Sequence, residues 1–371
     1  MISFSDILGQ DAAIDTLSRA YQTDRLPHGL IFAGPTGVGK ATTAKALAAL
    51  FLCQNPRNLP QSSGSPAGRP REGAPLPSPC GQCNSCVALE ANTHPDYHVV
   101  TRQLIRYHDK TGKSKGIDLS IDVIRKELVN PAGLKAALGH GKVFIVEEAD
   151  TMNAQAQNAM LKTLEEPAGP TLIILLTDQP GALLPTIRSR SQLIPFAPLD
   201  PDVILQKLQT YFSDARQSQD VSPDSSDIAT ATTIAEGSLG NALQWLQDGV
   251  IPRARHLMSS LDEILAGRPP DALEAWFKTS AEAYAEKQIE KDALGSKDQA
   301  TRTGYALYLH LAASHLRNRM SNSSSPEELE RICSAIDAIA KAEQYLWANV
   351  NTSLVFQQLT LAWEMHLAAT K

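Results

Sequence analysis

From Leu30 to Phe196 the chain alternates short apolar runs with longer amphipathic stretches. The runs LIFA, VFIV and LIILLT show no in/out alternation, the pattern of strands buried on both faces. Strands are predicted at 29–33, 96–101, 142–146, 171–177 and 192–196. Helix-length segments between them predict a parallel sheet built from right-handed crossovers, with helices on both faces. After Pro198 the strand signals stop, and 201–248 reads as a small helical region containing a polar linker, SDARQSQDVSPDSSD. Beyond about residue 250 the pattern stays helical, with amphipathic stretches near 296–319, 326–348 and 352–369. The segment 54–79 is dominated by Pro, Gly, Ser and Arg and buries too little apolar surface to offset its ordering entropy, so a flexible loop is expected there.

At 371 residues the chain is long enough for two or three domains. With 34 basic against 40 acidic side chains and a net charge of −6, it does not carry a surface that coats DNA by charge alone. The start, MISFSDILGQD, has no basic region before an apolar one, so no secretory signal is expected. Apolar runs such as Leu172 to Leu176 fall far short of the roughly 20 residues of a membrane span. A soluble, cytoplasmic protein with reduced thiols and no membrane partner is expected.

Gly34-Pro35-Thr36-Gly37-Val38-Gly39-Lys40-Ala41 follows a predicted buried strand and precedes the helical run ATTAKALAALFL. Strand, glycine-rich turn and helix in that order form a phosphate-binding loop: backbone N–H groups turn inward, the helix N-terminus adds partial positive charge, and Lys40 reaches β/γ-phosphates. A glycine-rich turn without a ligand is the competing reading, and the strand–loop–helix context speaks against it. ATP or ADP is the expected ligand. The residue after the lysine ordinarily offers a hydroxyl to Mg²⁺; here it is Ala41, and Thr42 is turned about 100° away around the helix. Nucleotide binding without efficient metal-assisted hydrolysis is expected. The run KVFIVEEAD at 142–150 delivers Glu147 and Glu148 directly after a strand, a degenerate form of the carboxylate pair that holds Mg²⁺ and polarises water. An acidic helix start favoured by the macrodipole is the alternative.

Cys80, Cys83 and Cys86 pack three thiols at short spacing, and Cys53 supplies a fourth. Four thiolates saturate Zn²⁺ and leave no position for water, so a structural zinc site is predicted. A redox role for the overlapping Cys-x-x-Cys units is the competitor, without a thioredoxin-like setting to support it. Cys333, in a helical pattern, is expected to be buried, and His94 reads as part of a turn entering a strand rather than as a ligand.

Taken together, ILGQ at 7–10, RLPHGLIFAGPTGVGK at 25–40, the cysteine cluster, THPDY at 93–97, QNAMLKTLEEP at 157–167 and LLPTIRSRSQ at 183–192 resemble the bacterial DNA polymerase III clamp-loader family. The resemblance covers roughly residues 1–245 and implies an AAA+ α/β domain with a zinc insert at 1–199, a helical lid at 200–249 and a helical collar at 250–371. It also implies that Arg190, within Ser189-Arg190-Ser191, projects in trans into a neighbour's ATP site, with Arg188 as the nearby competitor, and that Thr177 is a first sensor. Where motor members carry an arginine after Gly-Ser-x, this chain has Gly240. With Ala41, that points to the delta-prime type rather than the gamma/tau motor type. The implied partners are gamma/tau and delta subunits in a hetero-pentamer, with the sliding clamp and primed DNA reached through the complex. A weakened gamma/tau motor and a zinc module touching nucleic acid through Arg57, Arg69 and Arg71 are the alternatives. Lys162, on the amphipathic helix of QNAMLKTLEEP, reads either as facing DNA or the next subunit or as a solvated lysine paired with Glu165 or Glu166, and is not counted as a site.

Overall fold

The computed structural model describes residues 4–57, 76–108, 118–138, 140–215, 223–268, 273–291, 296–323, 325–348 and 350–367. They form two compact units: one of Met1–Val203 with Gly237–Gly240, the other of Ile204–Glu236 with Asn241–Lys371.

The first unit opens with α1 (Asp11–Gln22), β1 (Gly29–Ala33) and α2 (Lys40–Leu52). There follow α3 (Asn84–Glu90), β2 (Tyr97–Val100) and the one-turn helix α4 (Ile105–His108). Two short helices, α5 (Ile121–Ile124) and α6 (Asn130–Ala132), flank a π-helical turn at Arg125–Val129. Then come β3 (Lys142–Val146), α7 (Ala154–Glu165), β4 (Thr171–Thr177), α8 (Pro185–Arg188) and β5 (Gln192–Pro195). The strands match the expected segments to within a residue or two and form one sheet, all parallel, in the order β2-β3-β4-β1-β5.

Every residue of β1, β3 and β4 is buried, which is why these strands read as continuous apolar runs. Leu30, Phe32, Val143, Ile145, Leu172 and Ile174 point to one face, packed by α1 and α2. Ile31, Ala33, Phe144, Val146, Ile173 and Leu175 point to the other, packed by α5 and α7. This is the α/β architecture expected of an AAA+ module, and it brings the C-terminal ends of β1, β3, β4 and β5 to one edge.

The second unit is helical. α9 (Pro201–Ala215), α10 (Ser225–Ile234) and α11 (Leu239–Gln247) are followed by α12 (Ile251–Leu265), α13 (Leu273–Lys291), α14 (Lys297–Asn322), α15 (Pro326–Trp347) and α16 (Thr352–Leu367). α13 packs along α14 and α15 along α16. Phe277, Tyr305, Phe356 and Trp363 form an aromatic core, with the Phe277 and Phe356 ring centroids 4.6 Å apart.

The polar segment expected as a linker is shorter than its composition suggested. α9 runs to Ala215 and α10 begins at Ser225, capped by Asp224 accepting from the Asp227 amide at 2.6 Å. Its 216–222 portion, like the 58–75 portion of the expected flexible loop with Arg69 and Arg71, lies outside the described residues. Among the described residues, no helix is long and apolar enough to cross a membrane.

Candidate functional site

The loop from Gly34 to Gly39 leaves the C-terminal end of β1, between β4 and β5. Gly34 donates to Thr177 O at 3.1 Å, and a Cβ there would stand 2.2 Å from the Phe196 carbonyl oxygen, so glycine is the only residue that fits between β4 and β5. Gly37 and Gly39 adopt φ of +76° and +106°, and Gly39 is the N-cap of α2. Lys40 is buried, with Nζ donating to the Gly34 carbonyl at 2.5 Å and the Pro35 carbonyl at 2.7 Å. Burial lowers its pKa, opposed by the Asp178 and Asp150 carboxylates. Pro35, Thr36 and Val38 complete the loop; Val38 is buried and its carbonyl accepts from Gln10 Nε2 at 3.2 Å. Ala41 and Thr42 are half-buried on the first turn of α2, and the next hydroxyl, Thr43, is buried and spent on the Gly39 carbonyl at 2.9 Å.

A further contact closes the loop from above. The Gly240 amide donates to Gly37 O at 2.9 Å, and a Cβ on Gly240 would come within 2.8 Å of Gly37 Cα. Gly240 therefore contributes backbone where a longer residue would place a side chain.

The acidic groups follow β3. Glu147 is half-buried, its amide bonded to Val100 O at 3.0 Å. Glu148 takes φ +50° and turns its carboxylate to Arg102 Nε at 2.8 Å. Partial desolvation raises the Glu148 pKa, opposed by Arg102 and reinforced by the Asp150, Glu147 and Asp178 charges. Thr177, at the end of β4, is buried and donates to Asp150 Oδ1 at 2.7 Å. The acids that act electrostatically on Lys40 are thus Asp178 and Asp150. Asp150 lies within the EEAD run but was not singled out from sequence, and Gln10, Arg102 and Asp178 were likewise missed. Only Gln10 carried a local signal, the Gly-Gln that ends ILGQ. Its side-chain amide bonds Val38 O, Ala197 O and Ala197 N at 3.2, 2.7 and 3.1 Å, tying the loop to the exit of β5.

Arg190 lies between α8 and β5, its carbonyl beside Gly29 at the start of β1. Its Nε and Nη2 reach Glu165 Oε1, each at 2.5 Å, and its Nη1 reaches Thr186 O at 3.1 Å and Ser189 Oγ at 3.3 Å. Arg188 is exposed and forms no ion pair among the described residues. Lys162 is exposed on α7, as expected of a solvated lysine, but it forms no ion pair among the described residues: Glu165, at the end of the helix, is taken by Arg190.

At the far end of α2 stand the cysteines. Cys53 is its C-cap, Cys83 is the N-cap of α3 and Cys86 lies in the first turn of α3. The four Sγ atoms lie within 4.8 Å of one another, and Cys80 and Cys86 Sγ are 3.9 Å apart. A tetrahedral site with Zn–S near 2.3 Å has S–S edges of about 3.8 Å, so the cluster fits zinc. Amides of Cys80 and Cys83 point at Cys53 Sγ (3.2 Å) and Cys80 Sγ (3.3 Å), and Gly81 at φ +72° makes the turn between them. These N–H···S contacts stabilise thiolates. His94 is outside the cluster, bonded to Ser85 Oγ at 2.6 Å and accepting from the Asp96 amide at 3.1 Å. Cys333, expected to be buried, is exposed: α15 turns Ile332, Ala335 and Ile339 inward and leaves residue 333 on the outer face.

A family profile described as "DNA polymerase III, delta subunit" matches residues 9–200. The DNA polymerase III subunit delta' of Bacillus subtilis is 27% identical over 95% of this chain and 95% of its own length. That of Pseudomonas aeruginosa is 37% identical over 44% of this chain and 41% of its length. The DNA polymerase III subunit gamma/tau of Mycobacterium bovis is 32% identical over 54% of this chain and 29% of its length. With the matched span running from the N-terminal Gly-Gln through the phosphate loop, the cysteine cluster and the Ser-Arg-Ser segment, the chain belongs to the DNA polymerase III, delta subunit family.

Proposed function

We propose that this chain works as the delta-prime-type subunit of a sliding-clamp loader. It assembles with gamma/tau and delta subunits in a hetero-pentamer in the cytoplasm and helps place the sliding clamp on primed DNA. In this reading residues 1–199 are the AAA+ module, 200–249 the lid and 250–371 the collar. Zn²⁺ held by Cys53, Cys80, Cys83 and Cys86 braces the insert. ATP or ADP held at Gly34–Thr42 is turned over slowly at most, because the position after Lys40 has no hydroxyl for Mg²⁺.

The observation that carries the reading is Gly240 seated on Gly37. A motor site needs a cation reaching the γ-phosphate from this position, and here backbone fills the space. The catalytic role then falls to Arg190, whose guanidinium, inserted into a neighbour's site, stabilises charge on the transferred phosphate. Glu147, Glu148 and Thr177 retain the outline of the hydrolytic edge without its full chemistry.

The test is ATP hydrolysis by the purified chain alone and by the assembly with its motor and clamp-opening subunits. The expected outcome is negligible turnover alone and a loss of turnover in the assembly with Arg190→Ala. Robust turnover by the isolated chain that disappears with Lys40→Ala would instead make it a gamma/tau-type motor.

A further inference from the structure

We propose that Glu165 is a positioning residue for Arg190: it holds the guanidinium in a self-satisfied conformation in the free chain, and yields it to a phosphate of the neighbouring subunit on assembly. The inference rests on the reading of Arg190 as a group acting in trans.

The geometry is that of an occupied fork. Nε and Nη2 converge on one carboxylate oxygen of Glu165, while Nη1 is held by Thr186 O and Ser189 Oγ, so the edges that would grip a phosphate are already engaged. A carboxylate and a phosphate compete for the same planar donor set, because both offer oxygens at matching spacing.

Glu165 also occupies the last position of α7, where exposed carbonyls make the macrodipole negative and a carboxylate is unfavourable unless a cation neutralises it. Arg190 is that cation, and Lys162 in the same last turn does not take the role. The pair is partly open to solvent, with side chains 36% and 46% exposed, which makes it weak enough to be exchanged. Thr186 and Ser189 belong to the same turn as Arg190, so they aim the stem while Glu165, 25 residues away, alone supplies a charge that can be displaced.

The experiment compares wild type, Glu165→Gln, Glu165→Asp, Arg190→Ala and the Glu165→Gln/Arg190→Ala double variant in the full assembly, reading kcat and KM for ATP. Thermal melting of each purified chain checks that it is folded. The expected result is a rise in kcat/KM of about two- to fivefold for Glu165→Gln. Glu165→Asp should return toward wild type, and the double variant should match Arg190→Ala. An unchanged or lowered kcat/KM for Glu165→Gln, with Arg190→Ala still impaired, overturns the displaceable hold while leaving the trans role of Arg190 standing. An Arg190→Ala assembly as active as wild type overturns both.

Discussion

The two ends of α2 make an instructive pair. At its N-terminus the chain presents a glycine loop, a buried lysine and a helix dipole, the apparatus for an anion. At its C-terminus, 13 residues on, Cys53 joins three thiols of the insert in an arrangement sized for a metal. The metal end has its complete donor set. The phosphate end keeps the binding elements but lacks the hydroxyl after Lys40, and backbone of Gly240 lies over Gly37. A structural site depends on every ligand at once, since removing one leaves a buried thiolate set unbalanced. The glycine loop is also a joint between β1, β4 and β5, through the Gly34 amide on Thr177 O and the Gln10 side chain on Val38 and Ala197.

The largest effect should come at the metal end. Cys80→Ser, or stripping metal with a strong chelator, is expected to destabilise the first unit by on the order of 5 kcal/mol, part of the ~10–16 kcal/mol that structural zinc contributes to finger peptides. Denaturant unfolding with metal analysis reads it, and an unchanged midpoint would make the cysteines ordinary thiols. Gly34→Ala comes next. Its Cβ has nowhere to go beside Phe196 O, and a loss of about 3 kcal/mol is expected by the same unfolding measurement. If the loop relaxed without penalty, its role as a joint would fall. Arg190→Ala should leave stability within about 0.5 kcal/mol, as for an exposed ion pair, yet lower turnover of the assembly by about tenfold. The smallest effect is expected for Ala41→Ser. Restoring a hydroxyl should raise Mg²⁺-dependent nucleotide affinity by about two- to threefold, seen by titration with a fluorescent nucleotide, without creating turnover while Gly240 remains. Turnover appearing with Ala41→Ser alone would mean that the hydroxyl was the sole deficit.

Much of this was legible in the residues because it is local. Unbroken apolar runs mark doubly buried strands, and Gly34 to Lys40 marks a strand–loop–helix junction whose steric demands are met by glycine alone. The failures are equally specific. Cys333 was misjudged because cysteine favours interiors on average, while the rotation of α15 about Ile332 and Ala335 decides its side. Helix spacing allows Lys162 to pair with Glu165 or Glu166, whereas Glu165 finds its partner, Arg190, from across the fold.

The sequence by itself determined the strands, the glycine-rich turn between β1 and α2, the absence of a hydroxyl after Lys40 and the identity of the four thiols, since each follows from side-chain chemistry or short-range periodicity. Only the tertiary structure decided that β1 lies between β4 and β5, that Cys53 meets Cys80 across 27 positions, that Gly240 covers Gly37 and that Glu165 holds Arg190. Those pairings depend on which surfaces the parallel sheet brings together, and no local pattern records the partner of a residue whose contact is made only once the chain has closed on itself.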